Sequence, residues 1–190
     1  MVQTVPVETR YTVERYFELV ETGVLHADDR VELLEGVIVA MSPQNPRHAS
    51  ATTRAHHALA NALAHRAVVR VQMPLVLGSY SVPEPDVAVV PGTDAAYDDA
   101  HPTTALLIVE VADSSLLQDR LTKSALYAAA GIPEYWLVNL RDDCIEVFRA
   151  PDPSTRRYAE TRTRRRGEQI DLVAFGDAQV SVSDLLPTRK

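Results

Sequence analysis

The chain has 190 residues, with 19 lysines and arginines against 26 aspartates and glutamates and a formal net charge of −7. That length suits a single domain spanning 1–190, large enough to bury a core without disulfides or structural metals. A hydrophobic fraction of 46% and a charged fraction of 24% exclude a mostly disordered chain, and apolar runs such as 105–109 fall far short of the about 18 residues of a membrane span.

Residues 12–22 place Val13, Tyr16, Phe17 and Val20 at i, i+3, i+4 and i+7. Thr12 can cap this segment and Gly23 follows it, so the spacing predicts an amphipathic helix. Two alternating runs around Glu35-Gly36 predict a β-hairpin over 31–41. Residues 42–46 are a proline-containing loop. Residues 47–66, rich in alanine, predict a second helix, followed by a strand at 68–77. Pro83 and Pro85 bracket the start of another strand at 86–90. A polar loop leads to 105–112, an apolar strand interrupted once, at Glu110. Ser114 or Ser115 can cap a helix that Gly131 and Pro133 end near residue 130. Residues 134–140 form a strand. Shorter strands follow at 144–149, 157–162, 169–174 and 179–182, then a turn over SDLLP.

The order over 47–140 is therefore helix, three strands, helix, strand. The three middle strands have connections too short for helical crossovers and should form an antiparallel meander. The last strand follows a helix and can join in parallel. The fold class is α/β with a mixed sheet, carrying an N-terminal helix and hairpin and C-terminal strands.

The lone cysteine, Cys144, cannot make an internal disulfide, and residues 1–10 show no basic segment followed by an apolar one. No membrane association is expected, and the cytoplasm is the default location. Of the 19 basic residues only Lys123 and Lys190 are lysines. Arginine serves for generic surface charge, so the internal Lys123 stands out. Seven arginines crowd residues 149–166 against Asp152 and Glu160. They could face phosphates, or simply blunt a solvated sheet edge, which is the favoured reading.

Two carboxylates sit where packing alone would not place them. A buried Glu110 needs a cation, a metal or a raised pKa. Asp86 opens the neighbouring strand, and antiparallel pairing can bring the two side chains together on one face. Two carboxylates held that close favour a divalent cation, and hard oxygen ligands suit Mg²⁺ or Mn²⁺. The alternative, a glutamate paired with arginine and an aspartate capping a turn, is equally open on these two residues. His48, His56, His57 and His65 share one helix, but a separation of eight residues is about 12 Å, so a histidine zinc site is not expected.

The α-β-β-β-α-β order with Pro85-Asp86 and Glu110-Val111-Ala112 resembles the restriction-endonuclease-like core of the PD-(D/E)XK nuclease superfamily. The lysine of that hallmark is replaced here by Ala112. The closer resemblance is to the Uma-two family of bacterial endonuclease-like proteins, in which the lysine has moved onto the following helix in an Asp-xxx-Lys-xxx-Tyr pattern. Asp119, Lys123 and Tyr127 match it. VELLEG and SPQNPRH look like the family's hairpin glutamate, at Glu32, and its loop histidine, at His48. Val37 stands where the family often carries a further glutamate.

The resemblance implies a metal-dependent endonuclease that hydrolyses phosphodiesters in nucleic acid, taken as DNA. Asp86, Glu110 and the Val111 carbonyl would hold Mg²⁺ or Mn²⁺. Lys123 would orient water or stabilise phosphorane charge, with Glu32 and His48 in support. Tyr127 is expected to pack. Two alternatives stay open: an inactive nuclease-fold module that binds nucleic acid, and a homodimeric structural or partner-binding protein. A homodimer is expected in either case.

Overall fold

A computed structural model describes residues 10–113 and 119–188. Helix α1 (Val13–Glu21) starts where the Thr12 hydroxyl accepts from the Arg15 amide, and buries Val13 and Tyr16. Both pack with Leu33 and Val82 in a small cluster under the hairpin. That hairpin pairs β1 (Val31–Leu34) with β2 (Val37–Ala40). Its turn residues Glu35 and Gly36 both take positive φ, 51° and 85°, as a two-residue turn matched to strand twist requires. A Cβ on Gly36 would lie 2.5 Å from the Arg10 Cβ. Gly36→Ala is therefore expected to lower stability by about 1–3 kcal/mol, read as a fall in urea midpoint at unchanged slope.

Helix α2 (Pro46–Leu63) begins at Asn45, whose side chain accepts from the His48 amide at 3.0 Å, with Pro46 in the first position. Ala51, Ala55, Leu59 and Leu63 lie on one face and are fully buried. The helix stops three residues short of the expected 66, because Ala64 and His65 turn left-handed at φ 47° and 65°.

The main sheet has six strands in sequential spatial order. They are β3 (Val68–Arg70), β4 (Val87–Val90), β5 (Leu107–Ala112), β6 (Glu134–Asn139), β7 (Cys144–Asp152) and β8 (Arg157–Arg165). Strands β3, β4 and β5 run as an antiparallel meander, β6 joins β5 in parallel, and β7 and β8 extend the sheet antiparallel. The expected strand at 68–77 closes after Arg70. Gln72 turns left-handed at φ 50°, and Pro74 has no amide to give the ladder. Before β6, a π-helical turn (Asp119–Lys123) leads into α3 (Ser124–Ala129). The helix start expected at Ser114 or Ser115 lies outside the described residues.

Strand alternation sorts the core into two faces. Val87, Val89, Val109, Val111, Trp136 and Val138 pack beneath α2. Strands β9 (Gln169–Leu172) and β10 (Phe175–Ser181) form a separate pair and, with α4 (Val182–Leu185), close that layer. Ala88, Ile108, Ala112, Leu126, Tyr127, Tyr135 and Leu137 pack on the other side. Asp86 and Glu110 belong by parity to this second face. Among the described residues no helix is long and apolar enough to cross a membrane.

Candidate active site

Val87 pairs with Val109, so the strand register sets Asp86 opposite Glu110. The Asp86 amide points at the Glu110 Oε2, 3.4 Å away, and the Val111 amide donates to the Asp86 Oδ2 at 2.8 Å. Each carboxylate thus contacts the other's strand. Both are buried, 6% exposed for Asp86 and 3% for Glu110.

Lys123 reaches this pair from the helix side. Its Nζ lies 3.1 Å from the Glu110 Oε1 and 3.3 Å from the Glu32 Oε1, and the residue is 7% exposed. The ammonium is almost wholly removed from water. Hiding a charge costs several kcal/mol per ion before pairing offsets it, so such an arrangement points to function rather than to stability.

Glu32 comes in from β1, where its other oxygen accepts from the Glu84 amide at 3.2 Å. His48, one turn into α2, sets its Nε2 3.2 Å from the Asp86 Oδ2. All these residues line one polar cleft, together with Arg30, Glu84 and the Val111 strand edge. Burial, reinforced by the neighbouring Glu32 charge, holds the Glu84 carboxyl above its ordinary range.

Two further contacts escape sequence reading. The Tyr127 hydroxyl donates to the Glu110 Oε1 at 2.6 Å, so this ring does more than pack. Complete burial and the Glu110 charge hold that phenol well above its ordinary pKa, so it stays a donor. Its signal was present in the chain, since Tyr127 follows Lys123 by one turn. The Gln72 amide donates to the Asp86 Oδ1 at 3.0 Å from the loop after β3, and no local pattern announces that.

Glu134 supplies a contrast within the same sheet. It is also buried, but it accepts from the Trp136 indole, the Arg149 guanidinium and the Val173 amide, and so pins strands together. Glu110 instead shares an open cleft with Glu32, Glu84 and Asp86, which Arg30 and Lys123 also line. The surplus of negative charge and the hard-oxygen donors fit a divalent cation. Among the described residues no group of three or more His, Cys, Asp or Glu side chains is placed to hold a metal ion.

The arginine-rich stretch lies elsewhere. Glu110 is level with Leu137, then Glu146, then Thr163 across the sheet. The arginine strand is thus three strands away, roughly 14 Å. Arg162 and Arg164 alternate onto the opposite face from Glu110, and Arg164 and Arg166 pair with Glu168 and Asp143.

The sheet order and flanking helices are those of a restriction-endonuclease-like fold, with the cleft on one face of the sheet. The profile of the Uma2 family, described as "Putative restriction endonuclease", matches residues 13–183. The chain belongs to that family. The chain is also similar to a crystal structure from Anabaena variabilis described as "a putative nuclease belonging to DUF820". The TM-score is 0.71 at 16% identity, over 92% of this chain and 96% of that one, a likeness of fold. No curated protein sequence matches this one.

Proposed function

We propose that this chain is a Mg²⁺- or Mn²⁺-dependent endonuclease that hydrolyses DNA phosphodiesters. The observation that carries this reading is the Lys123 ammonium, buried between Glu110 and Glu32 in the cleft that Asp86 lines. Asp86, Glu110 and the Val111 carbonyl are the groups that would hold the ion. When bound, such an ion polarises a phosphodiester and lowers the pKa of a coordinated water.

The protein's own groups prepare the rest. Tyr127 and Lys123 both occupy the Glu110 Oε1, which leaves Oε2 directed toward Asp86. Gln72, His48 and the Val111 amide hold the Asp86 carboxylate in place. Glu110 and Glu32 hold the Lys123 side chain in the cleft. Its compact ammonium can then donate to a water or to a non-bridging phosphate oxygen, where negative charge grows in the transition state. The moved lysine serves because its long stem reaches from the helix to the place a strand residue would occupy.

A cleavage assay on single-stranded DNA, duplex DNA and RNA, with Mg²⁺, with Mn²⁺ and with chelator, tests the reading. Cutting of DNA only with metal, lost in Glu110→Gln, is the expected result. Wild-type protein that binds DNA and cuts nothing would place it as an inactive module. The arginine strand is not part of the binding surface in this reading. Arg162→Glu is expected to leave the salt slope of DNA binding unchanged, whereas a lost phosphate contact would reduce it by about 0.9. A homodimer completes the reading. The exposed Tyr11, Val37 and Tyr80 cluster by the hairpin turn, where Tyr11 and Gly36 bond main chain to main chain, and Gly36 to Tyr80. Light scattering at micromolar protein distinguishes one copy from two.

A further inference from the structure

A second cavity of about 580 Å³ opens beside the acidic cleft. Its apolar side is formed by Phe17, Leu25, Met41 and Pro74, and its polar side includes Arg30 and Glu84. The Phe17 and His101 rings stack at one wall, with centroids 5.5 Å apart and planes 17° from parallel. Burial and the nearby Arg70 charge keep the His101 imidazole below its ordinary pKa, so it presents a neutral aromatic face at neutral pH. Arg30, Met41 and Glu84 line both cavities. Gln72, which also lines the second, bonds the Asp86 carboxylate in the first.

We propose that this cavity takes the unpaired nucleobase of the nucleotide next to the scissile phosphate, so that the substrate is a strand with an unstacked base at the cut. The proposal rests on the reading of the acidic cleft as the phosphodiester site. Flat aromatic and apolar walls with a few polar groups suit the face and edge of a base, and stacking of this kind tolerates any base. The shared walls place the cavity within one nucleotide's span of Asp86. A paired base inside a duplex keeps both faces covered by its neighbours and cannot enter such a cavity without leaving the stack. The occupant is therefore a base from single-stranded DNA or one flipped out of a duplex. The size of the cavity leaves room for the attached sugar, since ligand pockets begin at about 300 Å³.

The test is metal-free, in chelator, so that binding is measured without cutting. Fluorescent strands of about 12 nucleotides are compared as single-stranded DNA, the same strand made abasic throughout, a fully paired duplex, and a duplex with one bulged nucleotide. The single strand is expected to bind about 10-fold tighter than the abasic strand, within the range of one or two stacked bases. The bulged duplex is expected to bind tighter than the paired one if flipped bases are accepted, and equally if only free single strands are.

His101→Ala, at an exposed loop position, is expected to weaken single-strand binding by about 10-fold with an unchanged melting temperature. Phe17 touches the α1 cluster, so Phe17→Ala is paired with Phe17→Trp, which restores both the fold and the stacking face. Equal affinity for intact and abasic strands overturns the proposal, as does wild-type binding in His101→Ala and Phe17→Ala together, or failure to bind any strand. Base-dependent binding without metal-dependent cleavage upholds the cavity and removes the nuclease reading; cleavage without base dependence does the reverse.

Discussion

Lys123→Ala is expected to abolish metal-dependent cleavage and to destabilise the metal-free protein by about 3–5 kcal/mol. The two losses have different causes. Activity goes because the ammonium that Glu110 and Glu32 hold is removed from the place where the phosphate charge would develop. Stability goes because Glu110 and Glu32, both buried, lose the ammonium that lies between them. An uncompensated buried carboxylate costs more than the pair was worth.

Lys123→Arg separates the two. A guanidinium keeps a positive charge between the glutamates and so keeps most of the melting temperature. It cannot reproduce a compact ammonium in a site this enclosed, and cleavage is still expected to fall by at least about 100-fold. Melting curves and single-turnover cleavage on the same preparations check both. Full activity in Lys123→Ala would end the case for the lysine on the helix.

Manganese at about 100 times its dissociation constant should add about 2.7 kcal/mol to wild-type stability, since only the folded chain assembles the site. For a chain of this length that is a rise of about 5–10 °C in melting temperature. Asp86→Asn should remove the rise, because one of the two carboxylates that would hold the ion has lost its charge. Glu160→Gln, on the exposed β8 edge, should leave it intact. The comparison reads metal binding directly and needs no substrate. A wild-type melting temperature indifferent to millimolar manganese would remove the metal from the mechanism.

Several parts of this site were legible before any fold was known. The cap and spacing of 12–22 specify α1 because both act within a few residues along the chain. Pro85-Asp86 and the glutamate inside an apolar strand mark two candidates, since each violates the local pattern around it. The scarcity of lysine marks Lys123. Each of these signals is local; the meander that joins Asp86 to Glu110 was expected from connections read as short, but they run over 71–86 and 91–106, long enough to cross over, and the strand pairing itself sets the antiparallel order.

Other parts were decided only by tertiary packing. Alternation on β1 left open which way Glu32 points. The backbone pairing of Leu33 with Val82 docks the hairpin so that Glu32 meets Lys123, 91 positions away in sequence, a contact that no local rule contains. Gln72 sits on a loop where its strand failed, yet its left-handed backbone brings it to Asp86. Tyr127 was one helical turn from the lysine, but its hydroxyl meets Glu110 only because α3 packs over the sheet against β7 and β8. The Phe17–His101 wall joins α1 to a loop over 80 residues later. Caps, turns and periodicity are energies between neighbours in the chain and can be read there. Contacts between distant segments depend on sheet register and on the angle at which elements dock, and those are set by how the whole core closes.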